Sequence, residues 1–324
     1  MVGAISVAVL GMTPVYADEV EVSERMVAQY APEAIPNSGV DETSSGFRAE
    51  VGETRIDVNS ADTAVEVSDH SGSIKLEALP GLSVDNAIVT NDGSVVYEVE
   101  DGTRLLTQPL KDAAVRMSVS IDRPDQPDEY IFDVIPEGGR GEVVEGVVLI
   151  FDASDEFVGA LEEPWAYDSA GISVPTHYSL RNGVVVQTVE HSVDNRYPVI
   201  ADPLFRRGVI KIVEREVWSS KGGYEMSLRV TTAARIMWAQ PKNWATIYSR
   251  GLADLREHYP RSMGKATMAQ QWQCHVFGLV GTFKIDLEGW RASKPNWAKT
   301  EIRKALNEAV KKKDPRAVSR ACNW

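Results

Sequence analysis

A chain of 324 residues, 43% hydrophobic and 25% charged, has an ordinary globular composition and the length for two modest cores. Its formal net charge of −13 conceals a split: residues 204–324 carry 23 Lys and Arg against 10 Asp and Glu, a net of +13, whereas residues 1–203 carry 11 against 37, a net of −26. Opposite signs on successive regions exclude a uniformly acidic surface and leave three readings: contact between the regions, a basic region meant for an anionic partner, or two solvated faces.

Val2 to Met12 form an apolar run as long as a signal-peptide core and too short to span a bilayer. Val15-Tyr16-Ala17 follows as a small-x-small site and Asp18-Glu19 comes next, so residues 1–17 read as a signal peptide cleaved after Ala17. The basic n-region is missing, which points to a start inside a longer signal. No later segment approaches 18 uninterrupted apolar residues, and the expected location is secreted or extracellular. In that oxidising setting Cys274 and Cys322 are expected to form one disulfide, worth about 4 kcal/mol in the chain-entropy model; the alternative is two buried free thiols. Neither cysteine has the Cys-x-x-Cys spacing of a zinc site.

Residues 18–62 are acidic, nearly free of aromatics and broken by Pro32, Pro36, Asn37-Ser38-Gly39 and Ser44-Ser45-Gly46. That composition predicts a flexible acidic leader, with room for one short helix around Val22–Tyr30. Residues 63–203 read as strand after strand. Val115, Met117, Val119 and Ile121 alternate with Arg116, Ser118 and Ser120, Asn91-Asp92-Gly93 marks one hairpin, and Arg181-Asn182-Gly183 marks another. Glu142 to Phe151 is a further strand. Turn signals about every ten residues predict an antiparallel sandwich or barrel-like β domain.

Residues 204–324 predict a small α+β domain with one disulfide. A strand over Val209–Trp218 pairs with the alternating Tyr224, Met226, Leu228 and Val230 across Ser219-Ser220-Lys221-Gly222-Gly223. Helical spacing runs from Trp244 to Tyr259 and stops at Pro260, and a second helix covers Ala266 to Phe277. Phe283, Ile285 and Leu287 form the inner face of a strand. A last helix carries Ile302, Ala305, Leu306, Ala309 and Val310, with Thr300 as N-cap and Lys311-Lys312-Lys313 at its end. Asp314-Pro315 starts a short terminal helix that aims Cys322 inward.

Two resemblances add to this reading. Glu163-Pro164-Trp165-Ala166-Tyr167-Asp168 through Tyr197-Pro198-Val199-Ile200-Ala201-Asp202-Pro203 resembles a segment of many secreted actinobacterial proteins, which implies a boundary just after Pro203 and no activity. Ser227-Leu228-Arg229-Val230-Thr231-Thr232, Gln271 before Cys274-His275, Leu287-Glu288-Gly289-Trp290-Arg291 and Ala321-Cys322-Asn323 resemble the bacterial family called domain of unknown function 2599. That resemblance implies a secreted C-terminal domain with two characteristic cysteines and supplies no reaction. Family members usually have proline where Gly289 stands.

For chemistry, His275 is a candidate general base oriented by Asp286 or Glu288, set against the plainer reading of a structural histidine. Adjacent residues on a helix diverge by about 100°, so Cys274 and His275 do not make a catalytic pair. His177 and His191 flank the Asn-Gly hairpin, with only Asp194 or Asp202 to complete a metal set, and no metal or cofactor is expected. The familiar hydrolase, P-loop and dinucleotide motifs are absent. Seven of eight tryptophans follow residue 204. Trp290, Arg291, Trp297, Lys311, Lys312 and Lys313 are the candidate binding residues, because Trp and Arg recur at interface hot spots and lysines favour anions. The expected function is non-enzymatic binding to an anionic cell-wall polymer or membrane surface, with nucleic acid as a further polyanion. The alternative is a toxin-like effector or hydrolase precursor whose acidic region docks on and masks the basic domain until cleavage at Arg206-Arg207.

Overall fold

The computed structural model describes residues 14–32, 34–99, 102–278, 284–295, 301, 303–312 and 321–322. Val40 to Asp69 and Gly72 to Ala78 make a five-strand meander: β1 (Val40–Thr43), β2 (Gly46–Val51), β3 (Thr54–Asn59), β4 (Ala64–Asp69) and β5 (Gly72–Ala78). A second meander follows in β6 (Val84–Val89), β7 (Val95–Val99), β8 (Arg104–Pro109) and β9 (Val115–Ile121). The chain then crosses to the first sheet for β10 (Glu129–Asp133) and back for β11 (Arg140–Val144), β12 (Val147–Phe151), β13 (Phe157–Leu161) and β14 (Ala166–Asp168). It returns once more for the hairpin β15 (Thr176–Arg181) and β16 (Val184–Val189), and ends in β17 (Val199–Ala201) and β18 (Leu204–Arg206).

The result is two antiparallel sheets, one ordered β1-β2-β3-β4-β5-β10-β16-β15 and the other β11-β12-β13-β18-β9-β8-β7-β6, with β17 also beside β9. Ile56, Val67 and Leu76 from the first sheet and Leu105, Met117 and Ile150 from the second share one buried cluster. The β region is therefore a sandwich. The Asn-Gly hairpin forms as its dipeptide demands: Arg181 pairs with Val184, and Asn182 and Gly183 take φ of 50° and 84°.

Residues 18–62, read above as a flexible leader, are structured instead. A helix α1 (Pro14–Tyr30) packs on the outer face of the second sheet through Val20, Met26 and Val27, and β1 to β3 extend the first sheet. The physical reason is that Ala49, Ile56 and Val58 alternate inward over short strands, giving buried surface without aromatics. The expected signal core, Val2–Met12, lies outside the described residues, and the expected cleavage point after Ala17 falls within α1. Among the described residues no helix is long and apolar enough to cross a membrane.

The boundary expected after Pro203 also moves, because β18 pairs with β13 and β9 and keeps Leu204 to Arg206 in the sandwich. Beyond it, β19 (Ile210–Ser219), β20 (Gly223–Val230) and β21 (Lys284–Glu288) form a three-stranded sheet in that order. It is covered by α2 (Thr232–Trp238), α3 (Trp244–His258) and α4 (Ala266–Gly278), and α5 (Arg303–Lys312) follows. Thr231 caps α2 by accepting from Ala234 N at 3.1 Å. Phe283, Thr300, Ile302 and Asp314-Pro315 lie outside the described residues.

Met226, Leu228, Ile285, Leu287, Ile247, Leu255, Trp238 and Trp272 build the C-terminal core. Gly251 is required there, since a Cβ would sit 2.2 Å from Trp272 Cζ2. The same cluster includes Val147, Leu149, Phe151, Phe157 and Ala160 of the sandwich. The two regions share a core rather than hanging from a linker.

Candidate functional site

Two groups of side chains carry the residues singled out in the sequence. The first surrounds α4. Cys274 and Cys322 form a disulfide with Cα atoms 5.6 Å apart, tying α4 to the end of the chain. Gln271, one turn of helix before, accepts from Glu288 N at 3.0 Å and donates to Glu288 O at 2.9 Å, so the side-chain amide continues the sheet edge of β21. His275 is buried, with Nδ1 lacking a hydrogen-bond partner and the ring bonded to the Asp286 backbone. Burial pushes its imidazole down to about 4, against the opposing pull of Asp286.

The carboxylates expected to orient His275 are engaged elsewhere. Asp286 projects from the outer face of β21 and accepts from the Ser227 hydroxyl. Glu288 pairs with Arg291 three residues on. Thus α4 and β21 bring the three residues together with His275 only 6% exposed. This arrangement holds α4 on the sheet edge. Gly289 belongs to the same brace: its N–H donates to Tyr224 O at 2.7 Å, a bond that a proline at this position would lose.

The second group lies at the end of the β19–β20 hairpin. Ser219 pairs with Gly223, and the turn between them brings Lys221 over the Trp290 ring, with Nζ 4.7 Å from its centroid. Lys265 fixes this geometry from below, donating to Gly222 O at 2.7 Å and Gly289 O at 3.0 Å. One ammonium therefore binds the hairpin turn to the loop that presents Trp290. Trp218 and Tyr224, a cross-strand pair, stand edge to face with centroids 5.1 Å apart. Trp218 is 63% exposed, the most exposed of the large aromatic side chains described.

The remaining candidates are dispersed. Arg291 is half-buried against Glu288. Lys311 and Lys312 are exposed on α5, and Lys312 pairs with Glu308 at 2.8 Å. Trp297 and Lys313 lie outside the described residues. His177 and His191 do not meet: His177 is exposed beside Glu190, whereas His191 bonds Tyr197 Oη at 2.9 Å and Pro127 O at 3.1 Å.

Sequence reasoning missed Trp218, Lys221, Tyr224 and Lys265 as members of one surface. The expected pairing of this strand forms, but β19 is also the sheet edge and is exposed along most of its length, which the pairing did not disclose. The usable signal was a tryptophan abutting the Lys-Gly-Gly turn. Arg206 and Arg207, read above as a cleavage point, have side chains buried against the sandwich instead: Arg206 pairs with Asp112 at 2.6 Å, and Arg207 meets Asp69 at 3.2 Å.

No family model, curated protein or solved structure matches this chain.

Proposed function

We propose that the protein is a secreted, non-enzymatic binding protein whose C-terminal region holds an anionic envelope polymer, with the sandwich as its scaffold. The observation that carries this reading is the hairpin end, where Lys221 lies over Trp290, Lys265 ties the turn to the loop bearing Trp290, and Trp218 and Tyr224 form a cross-strand aromatic pair on the same hairpin. Aromatic faces suit sugar or polyol rings, and ammonium groups suit the phosphates between them. Because β20 pairs with β21 and Lys265 ties the turn to Gly289, the surface is preorganised and little side-chain freedom is lost on binding. The excess of Lys and Arg over the last 121 residues supplies the attractive field.

A relationship to the domain of unknown function 2599 remains part of this proposal. The residues behind it, including Thr231, Gln271, Cys274 and Glu288, brace the C-terminal fold. The masked-precursor alternative receives no such support, because a protease would have to extract the buried Arg206 and Arg207 from the sandwich.

The test is titration of purified full chain with lipoteichoic acid by calorimetry. The reading expects saturable binding that Trp218→Ala with Trp290→Ala weakens by about tenfold, as two interface aromatics of this kind contribute. Unchanged affinity in that double variant would remove the hairpin end from the function.

A further inference from the structure

A cleft of about 480 Å³ lies where the chain passes from the sandwich into the C-terminal region, far enough in volume to hold a small molecule. Its floor is ionic. Arg207 donates to Val67 O at 2.8 Å, Gly72 O at 2.9 Å and Ser71 Oγ at 2.8 Å, and pairs with Asp69. Arg206 pairs with Asp112, and Glu257 with His70 at 2.7 Å. Asp254 accepts from Val209 N at 2.8 Å. Arg207 and Arg206 thus match Asp69 and Asp112, while Asp254 and Glu257 are held by backbone N–H groups and His70.

The walls differ. Lys111 and Lys211 line the cleft, and among the described residues neither ammonium has an ion-pair or hydrogen-bond partner. Ile35, Val51, Ile210 and Ile212 line the same cleft, with Ile35 53% and Ile212 47% exposed. Two uncommitted cations beside exposed aliphatic side chains, in a concave site between two structural regions, match one chemistry. We infer that this cleft binds a small amphiphile with a single anionic head, its carboxylate or phosphate meeting Lys111 and Lys211 and its chain covering the isoleucines.

This site is separate from the hairpin end, and the experiment keeps the two apart. The full chain is titrated calorimetrically with dodecanoate, dodecyl phosphate, dodecanol and dodecyltrimethylammonium, each below its micelle concentration. The expected result is saturable one-to-one binding of both anions, with the neutral and cationic probes about tenfold weaker or worse. Lys111→Glu with Lys211→Glu weakens anion binding by about tenfold or more, and Lys111→Gln with Lys211→Gln gives an intermediate loss. Both lysines have exposed or half-exposed positions, so melting temperature is expected to be unchanged, which separates a lost site from a lost fold. Trp218→Ala with Trp290→Ala binds the anions as the parent does. The inference is overturned by an absence of saturable binding, by equal affinity for the cationic probe, or by charge-reversed protein that binds as well as the parent. Loss of anion binding in the tryptophan variant also overturns it, by assigning the amphiphile to the hairpin end.

Discussion

Arg207→Ala is the sharpest probe of how the two regions are joined. The guanidinium makes three hydrogen bonds to the β4–β5 turn and its surroundings and an ion pair with Asp69, whose side chain is only 11% exposed. Burial pulls the Arg207 pKa down and Asp69 opposes that shift, so the charge is held in place by its partners. Truncation leaves Asp69 and two carbonyls without the cation, and breaking such a buried pair costs about 3–5 kcal/mol. For 324 residues unfolding together, the entropy of unfolding is about 0.7 kcal/mol per kelvin, so the loss lowers Tm by roughly 4–7 °C. Differential scanning calorimetry measures that shift. Pairing it with Asp69→Asn tests the mechanism, because the double variant is expected to recover at least about 1 kcal/mol relative to the sum of the single losses. A loss below about 1 kcal/mol, or strict additivity, would refute the clamp.

Three further outcomes follow from the same geometry. Reducing and alkylating the Cys274–Cys322 bridge, which spans 48 residues, is expected to lower stability by about 4 kcal/mol in denaturant titration. His275 has a folded pKa of about 4, below the ordinary 6.5, so its contribution is present above pH 6.5 and is lost as pH falls from about 6.5 to about 4. That loss amounts to about 3 kcal/mol, and NMR should find the ring neutral down to about pH 5, while titration near 6.5 would contradict its burial. Gly251→Ala drives a methyl into Trp272 and Val209 and is expected to cost about 1–3 kcal/mol by thermal melting, with near-neutral behaviour ruling out the close approach.

Much of the fold was legible because local pattern and final environment agree. In β20 and β21, Met226, Leu228, Ile285 and Leu287 alternate and are buried, and in α3 Ile247, Leu252 and Leu255 recur at helical steps. The leader was misjudged because its strands are short and bury small side chains such as Ala49, which hydrophobic patterns register weakly. The central second sheet conceals another feature. Arg116, Ser118 and Ser120 look like the solvent face of β9, yet all are buried, with Ser120 Oγ 3.2 Å from Ser23 Oγ of α1. Only tertiary packing discloses that both faces are covered.

At the sites, Trp290 could be picked from composition because a tryptophan after a charged strand is a plausible surface residue. Its partner Lys221 lies on a hairpin whose approach to Trp290 depends on β21 joining β20. Arg206-Arg207 shows the opposite failure. Two adjacent arginines read as a protease target, whereas the acceptors of Arg207 are about 140 residues earlier in the chain. No local rule encodes that pairing.

The most direct test of the functional proposal is the salt dependence of lipoteichoic acid binding by the full chain, followed in parallel for Lys221→Gln. Counterion release from a polyanion makes affinity fall steadily as salt rises, and losing one contacting cation makes the slope shallower. The account predicts an affinity that drops by about tenfold or more between low and physiological salt, with a shallower slope in the variant. Binding that is indifferent to salt, or identical slopes in both proteins, would contradict it.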